Sequence, residues 1–303
     1  MQSARPCCIV SCCRSVLTDS FEQETRSMTF LITTVMENTS RDTRLIAQHG
    51  LSLLIEGEGR KFIYDTGQSP RFLFNARALG VDLAGADALI LSHGHWDHTG
   101  GAAALLTSMT PPRKLYVGEG FFTPRYRTVE DGELEISSLL SERTVQLCAV
   151  PCETVGSDPV QLSENAWLLS GFSATDPHEA ANPVMTRVEA GERVTDTFPE
   201  EVALILKGRE GLTVVSGCSH NGILSICSRI QDVFGEPVRR FVGGTHLISA
   251  DDERIAYTCS RLQQMGIRHL GACHCTGEKA ENFFASRFPG FYRNNVGTRT
   301  EIL

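Results

Sequence analysis

One short segment constrains this chain more than any other. The apolar stretch ADALILS runs directly into SHGHWDHTGG, which places three histidines and one aspartate within six residues. An apolar run followed by turn residues predicts a buried β-strand, so these side chains stand at the end of a strand. Imidazole and carboxylate groups are ligands that zinc, iron and manganese accept. The segment therefore predicts a catalytic metal centre built on His93, His95, Asp97 and His98.

Three later segments repeat the order of a strand followed by a histidine. LTVVSGCSH ends at His220, RRFVGGTH ends at His246 and RHLGACH ends at His274. Any one of these histidines alone would more often be a core or rim residue than a ligand. Together they can converge on one cleft, because a site for one or two metals needs ligands from more than one strand.

The chain from Met28 onward alternates short apolar strands with helical segments, which is typical of an α/β protein. We expect two β-sheets packed face to face with helices outside, in a single domain over 28–303. The region of about 119–200 is rich in Thr, Glu, Ser and Pro with weak periodicity, and it is predicted to be an insertion or lid. Residues 1–27 show little periodicity and are expected to be a tail.

Composition narrows the function classes. The 303 residues are 41% hydrophobic, enough for a sizeable core, and the net charge of −8 leaves no broad basic surface for nucleic acid. No apolar run approaches the length of about 18 residues that a membrane span needs and no secretory signal is visible, so we expect a cytoplasmic protein without a membrane partner. Eleven cysteines, an odd number, fit free thiols in a reducing compartment. The pairs Cys7/Cys8 and Cys12/Cys13 lack partners at zinc-finger spacing, which disfavours a structural zinc there.

The motifs resemble a known family. The HxHxDH signature, the upstream FIYDTG and the strand-end histidines are similar to the metallo-β-lactamase superfamily. More narrowly, HGLSLLIE, YDTGQS, LSHGHWDHTGG, SGCSHNGI, GGTHL and CHCTGEKA resemble the 7,8-dihydropterin-6-methyl-4-(β-D-ribofuranosyl)aminobenzene-5'-phosphate synthase-like branch, over about 28–303. The resemblance implies an αββα sandwich whose metal cleft lies at one edge of the two sheets.

The resemblance also implies how one or two divalent metal ions would be held. Zinc is the expected metal, with manganese or iron as alternatives. The first ion would be held by His93, His95 and one later histidine, and the second ion by Asp97, His98 and His274.

The remaining ligand of the first ion is open among the later histidines. We prefer His220 over His246, and His178 in the 119–200 region is a weaker alternative. Many relatives have a bridging aspartate where this chain has Cys218, whose thiolate can bind a metal or simply pack, and this leaves the number of metals open. His49, just before a strand, can face the cleft.

Other residues are predicted to support the metal or the substrate. Asp65 in FIYDTG is implied to accept a hydrogen bond from a ligand imidazole, the alternative being a carboxylate that caps a turn. Thr276 opens the last predicted helix, where it either helps to bind a substrate phosphate or serves as N-cap. Arg125, with Tyr126 and Arg127 in FFTPRYRT, either clamps an anionic group or lies in a solvated loop.

These residues predict a metal-dependent hydrolase that acts on a small phosphate-bearing or ester substrate, and we expect this substrate to be anionic. In this hypothesis the metal lowers the pKa of a bound water to give hydroxide, and Asp97 orients that water. One alternative is a transferase that joins a dihydropterin methyl diphosphate to an aminobenzene ribosyl phosphate. Another is a non-catalytic metal-binding module. The oligomeric state stays open.

Overall fold

The structure is a computed structural model that describes Met1, residues 29–179 and residues 181–303. Apart from Met1, the expected tail at 1–27 lies outside the described residues, and so do its four cysteines. The predictions made for that segment therefore stay predictions.

Short strands dominate the described part of the chain. Its seventeen β-strands are, in chain order, β1 (Phe30–Met36), β2 (Ser52–Gly57), β3 (Arg60–Tyr64), β4 (Ala88–Ile90), β5 (Leu115–Gly118), β6 (Arg125–Val129), β7 (Gly132–Glu135), β8 (Cys152–Val155), β9 (Val160–Ser163), β10 (Ala166–Leu169), β11 (Met185–Glu189), β12 (Glu192–Thr195), β13 (Ala203–Gly208), β14 (Gly211–Ser216), β15 (Val238–Gly244), β16 (His269–Cys273) and β17 (Arg299–Ile302).

The helices are mostly short. In chain order they are α1 (Phe72–Leu79), α2 (Trp96–Thr99), α3 (Ala102–Leu106), α4 (Glu142–Cys148), α5 (Ile223–Phe234), α6 (Asp252–Gln264) and α7 (Glu278–Arg287), with a 3₁₀ helix at His274–Thr276. Within the described ranges, no helix has both the length and the apolar character needed to cross a bilayer.

The strands form two large sheets and one small one. The first sheet has the order β17-β1-β2-β3-β4-β5-β8, and the second has the order β16-β15-β14-β13-β10-β9. Apolar side chains from both sheets, including Phe62, Ile90, Leu204 and Val242, are buried together in one core. The third sheet, β12-β11-β6-β7, is separate from both.

Helices cover the outer faces of the two large sheets. Phe72 of α1 and Leu105 of α3 belong to the core on the outer side of the first sheet. Ile226 of α5 and Phe284 of α7 belong to the core on the outer side of the second sheet. Apolar positions at helical spacing thus each face a sheet, and the predicted αββα sandwich is confirmed.

The topology brings the strand-end histidines together. Strands β14, β15 and β16 are parallel neighbours in the second sheet, so their carboxyl ends meet at one edge. Strands β3 and β4 are parallel neighbours in the first sheet. Tyr64, the last residue of β3, donates a hydrogen bond to the carbonyl of Val202 at 2.6 Å, which joins the two sheets near this edge.

The region 119–200 is divided between the three sheets. Strand β8 extends the edge of the first sheet, and β9 and β10 extend the second. The third sheet is formed by β6, β7, β11 and β12. The role of the region 119–200 as a lid stays a prediction. Among its described strands, those of the third sheet are the ones that do not pair with a strand of either large sheet.

Candidate metal centre

One buried carboxylate holds the loop that follows β4. Asp65, just after β3, accepts hydrogen bonds from the backbone nitrogen of Ser92 and from its hydroxyl, both at 2.7 Å. Nδ1 of His98 donates to Oδ2 of Asp65 at 2.6 Å. The expected hydrogen bond between Asp65 and a candidate ligand is therefore present, and it fixes the tautomer of His98 with the lone pair on Nε2.

A second hydrogen bond fixes the tautomer of His274. Its Nδ1 donates to Oδ1 of Asn38 at 3.0 Å, and the Asn38 amide is oriented because its nitrogen donates to the carbonyl of His274. The lone pair of His274 is thus also on Nε2, and this atom lies only 3.1 Å from Nε2 of His98. Sγ of Cys218 lies 3.2 Å from the same atom of His98, and Oδ2 of Asp97 lies 3.3 Å from Nε2 of His274.

His93, His95 and His220 form a neighbouring group. Nδ1 of His93 lies 2.9 Å from the Ser92 hydroxyl, whose own proton goes to Asp65, so His93 donates and carries its lone pair on Nε2. This Nε2 lies 3.0 Å from Nδ1 of His95. Nε2 of His220 is buried and has no hydrogen-bond partner among the described residues.

The two groups fit a pair of metal ions. Imidazole nitrogens, a thiol and a carboxylate face one another at distances where a shared proton or a metal ion must lie between them, and these groups are zinc ligands. Cys218 is within reach of both groups, since its sulfur lies within 4.8 Å of ligand atoms of His93 and His220 and also of His98 and His274. The ligand roles themselves stay predictions.

Burial keeps most of these rings neutral, which is the form that binds a metal. It lowers the pKa of His95 to about 3 and the pKa of His274 to about 4. His98 differs, because burial alone would lower its pKa but the carboxylates of Asp65 and Asp97 outweigh burial and raise its pKa to about 9. In the metal-free protein, a proton on His98 would therefore balance part of the negative charge of Asp65 and Asp97.

His220 is held in place by two residues that the sequence did not single out. Its ring stacks on Phe198, with centroids 3.7 Å apart and planes 4° apart. The carboxylate of Glu201 accepts hydrogen bonds from the backbone nitrogens of His220 at 2.8 Å and of Asn221 at 2.9 Å. Glu201 precedes the strand VALILK, and neither its spacing nor its surroundings in the sequence marks it.

Two further histidines border the candidate ligands. Nε2 of His49 lies 3.1 Å from Oδ2 of Asp97, so His49 faces the cleft as expected. The ring centroid of His246 lies 4.4 Å from that of His220. His246 belongs to none of the three groups of converging ligand atoms found in the described chain, whereas His220 does, which agrees with the preference for His220. His95 is absent from these groups as well, although its Nδ1 lies 3.0 Å from Nε2 of His93. His49 joins Asp97 and His274 in the third group.

Arg125 does not bind substrate, and this prediction is wrong. Its guanidinium is fully buried, with Nε 3.0 Å from Asp196 and NH2 2.7 Å from Glu200. Its other nitrogen donates to the carbonyls of Phe121 and Thr123. The alternative of a solvated loop is also wrong, because these contacts leave the guanidinium no face toward solvent.

Thr276 and His178 also do not have the roles that the sequence suggested for them. Thr276 is fully buried, and its hydroxyl accepts from the backbone nitrogen of Thr245 at 3.2 Å, so it presents no group to a substrate. The residue that caps α7 is Gly277, so the alternative of an N-cap at Thr276 is wrong as well. His178 is exposed and packs against Tyr257, with ring centroids 3.9 Å apart, and it joins none of the groups that could hold a metal in the described chain.

Two of the cavities beside the centre are lined by both His220 and His246. The first, of about 180 Å³, is lined by candidate ligands and by the third sheet, including Asp97, Cys218, His274, Arg127 and Leu134. The second, of about 290 Å³, lies beside Phe198 and Arg254. His220 and His246 line both cavities, so both reach the same edge of the centre.

Comparisons with known proteins agree with this geometry. A family model described as the metallo-beta-lactamase superfamily matches residues 46–224. The chain is 30% identical over 257 residues to the 7,8-dihydropterin-6-methyl-4-(beta-D-ribofuranosyl)-aminobenzene-5'-phosphate synthase of Methanocaldococcus jannaschii, which covers 80% of this chain and 85% of that protein.

Solved structures show the same fold. Tm1679, described as a metal-dependent hydrolase of the beta-lactamase superfamily, superimposes with a TM-score of 0.78 at 28% identity, covering 90% of this chain and 99% of that one. A diphosphatase of the PhnP family shares the fold, with a TM-score of 0.53 at 13% identity over 90% of this chain and 98% of that one. The family match, which spans more than half of the chain, establishes that this protein belongs to the metallo-β-lactamase superfamily.

Proposed function

We propose that the protein is a metal-dependent hydrolase of a small phosphate-bearing or ester substrate. The observation that carries the proposal is the convergence of the lone pairs of His98 and His274, 3.1 Å apart, beside Cys218 and Asp97. Similarity to Tm1679, which is described as a metal-dependent hydrolase, supports it. A non-catalytic metal-binding module is less well supported, because a cavity adjoins the candidate ligands.

Each metal ion would be held by side chains from both large sheets. When bound, a divalent ion acts as a Lewis acid and lowers the pKa of a water molecule. Zinc fits the donor set of imidazole, thiolate and carboxylate groups, with manganese or iron as alternatives. The ligands would be His93, His95 and His220 for one ion and Asp97, His98 and His274 for the other. Cys218 is in reach of both, because its sulfur lies within 4.8 Å of ligand atoms of His93 and His220 and of His98 and His274.

The chain's own residues would order the reacting groups. Asp97 stays ionised, because the imidazoles around it outweigh burial and hold its pKa well below the ordinary value. Its Oδ2 also contacts His49, so this carboxylate can accept a proton or orient a water beside the cavity. Burial lowers the pKa of His246 to about 4, so its neutral ring can exchange a hydrogen bond with a substrate oxygen.

The experiment that tests the proposal measures turnover of zinc-loaded protein on a phosphomonoester, a phosphodiester and a lactone in ¹⁸O-labelled water. We expect one substrate class to react, with label from the solvent appearing in the product. His95→Ala, which removes one candidate ligand, is expected to abolish that turnover. Turnover that is unchanged in this variant, or product without label, would contradict hydrolysis at this centre.

A second candidate function is that of a transferase, which joins a dihydropterin methyl diphosphate to an aminobenzene ribosyl phosphate with release of diphosphate. Two observations favour it, namely the 30% identity to the M. jannaschii synthase and the two cavities that meet at His220 and His246. Two substrates need two adjoining spaces. In this case diphosphate is released only when the aminobenzene acceptor is present, and the product carries no label from water.

The cellular location is part of the same proposal. The cysteines that the structure describes are free thiols, including buried Cys227 and Cys259. Unpaired thiols in this number support a reducing, cytoplasmic environment.

A further inference from the structure

One face of the third sheet looks into the cavity beside the candidate metal centre. Arg127 of β6 is paired directly with Leu134 of β7 and with Met185 of β11. Residues that pair across neighbouring strands present their side chains on the same face of a sheet. All three line the cavity that also contains Asp97 and His274, so this face is a wall of the candidate active site.

The position of this wall is fixed relative to the metal-binding loop. The backbone nitrogen of Trp96 donates to the carbonyl of Ile136 at 3.3 Å, and His95 forms an isolated β-bridge with Ser137. Two residues before Arg127 on the same strand, Arg125 is buried against Glu200. The third sheet is therefore joined to the loop on one side and to a buried ion pair on the other.

Arg127 brings a positive charge to this cavity. Among the described residues that line it, Arg127 is the sole Arg or Lys, and it forms no ion pair within the described chain. Other arginines nearby are engaged, since Arg254 at the second cavity lies 3.6 Å from Glu179, and Arg193 stacks on Tyr126 with its guanidinium carbon 3.1 Å from the ring centroid. An unpaired guanidinium beside a catalytic centre is suited to bind an anion such as phosphate.

Apolar side chains line the same cavity as this arginine. Leu134 is 52% exposed on β7, and Ile248, which follows β15, is 57% exposed. The half-buried ring of Trp96 lines the same cavity. Large apolar groups left exposed around a cleft mark a place where a ligand covers them.

We propose that this face of the third sheet recognises an aryl or other apolar anion, with Arg127 binding its phosphate-like group and Leu134 and Ile248 contacting its apolar part. The inference rests on the proposed function, because it names the class of substrate that would reach the metal centre. It also replaces Arg125 with Arg127 as the anion contact of the segment FFTPRYRT.

The test is calorimetric binding of phenylphosphonate to the zinc-loaded protein. We expect Arg127→Ala to weaken binding by on the order of 10- to 100-fold, as for the loss of a charge-assisted hydrogen bond. The matched control is Arg193→Ala, an arginine of the same sheet on the opposite face, with an expected change below about twofold. Methylphosphonate, which lacks the aryl group, should bind more weakly than phenylphosphonate to the wild type and should lose affinity in Arg127→Ala as well.

Two further measurements keep the outcomes distinct. Arg127→Lys, which keeps the charge, should retain more affinity than Arg127→Ala, and zinc content should be equal in all variants. Equal phenylphosphonate affinity in Arg127→Ala and Arg193→Ala would overturn the inference. The carbon–phosphorus bond of the probe is not hydrolysed, so weakened binding without turnover of any ester would support this surface while contradicting the hydrolase proposal.

Discussion

At the scale of single residues, several positions of the candidate site have a strained backbone, and hydrogen bonds orient the candidate ligands His98 and His274. Asp65, Ser219, His246 and His274 all have positive φ angles, between 51° and 58°, in a region that residues other than glycine seldom adopt. Such strain persists only where the surroundings impose it, and it is common at functional sites. The four residues cluster around the candidate metal centre, which places the strain where side chains must point at a common position.

The first prediction separates the two late histidines. His220→Ala should lose bound zinc, because its Nε2 is buried without a protein partner beside His93. His246→Ala should keep zinc and lose mainly turnover, because its ring borders the centre without joining the converging atoms. Zinc titration of both variants decides between them. If His246→Ala empties the site and His220→Ala does not, the two roles are reversed.

The second prediction concerns pH. The raised pKa of His98, about 9 against an ordinary value of about 6.5, means that metal-free protein holds this proton below about pH 9. A metal must displace the proton, so apparent zinc affinity falls as pH falls, by about tenfold per unit for this one group. Burial also raises the pKa of the Cys218 thiol, which releases a second proton if it binds the metal.

Asp65→Asn tests the source of that pH dependence. Removing the carboxylate lowers the pKa of His98, so zinc affinity should depend on pH less steeply than in the wild type between about pH 6.5 and 9. At about pH 9, where proton competition is weak in both proteins, the variant should bind zinc on the order of 10- to 100-fold more weakly, because the ring loses its orienting partner. Zinc titrations at three pH values in that window are the measurement. Parallel pH profiles for the two proteins would contradict the role given to Asp65.

At the scale of elements, the third sheet is the part that sequence patterns described least well. The central strands of the two large sheets appear in the sequence as apolar runs such as VALILK and LTVVS, because both of their faces are buried. Strands β6, β7 and β12 are short and largely exposed, so their side chains carry no apolar period to read. The sequence around Arg125 does not indicate its structural role either, because its buried partners Asp196 and Glu200 are distant in the chain.

The third prediction tests that structural role. Arg125→Met leaves the buried carboxylates of Asp196 and Glu200 without their partner, and it should lower the free energy of unfolding by about 3–5 kcal/mol. Arg193→Met removes an exposed pair with Glu133 and should cost no more than about 1 kcal/mol. Urea unfolding of the metal-free proteins compares the two. Equal losses would show that the buried ion pairs do not hold the third sheet to the core.

At the scale of the whole molecule, the site exists because two sheets meet at one edge. The HxHxDH loop and Asp65 belong to the first sheet, whereas His220, His246 and His274 follow strands of the second. The sequence was enough to predict the sandwich and the converging histidines, because each ligand follows an apolar strand. It was not enough to predict Asn38, Phe198 or Glu201, which orient ligands from distant parts of the chain without any local motif.

The most direct test of this account is the zinc content of the purified protein after equilibrium dialysis. The account predicts about two zinc ions per wild-type chain, since two of the three groups of converging ligand atoms in the described chain share Cys218 and otherwise use different histidines. The double variant His95→Ala/His98→Ala, which removes one proposed ligand of each ion, should retain almost none. Wild-type protein without bound zinc, or a double variant with the same zinc content as the wild type, would contradict the central claim that these side chains form a metal centre.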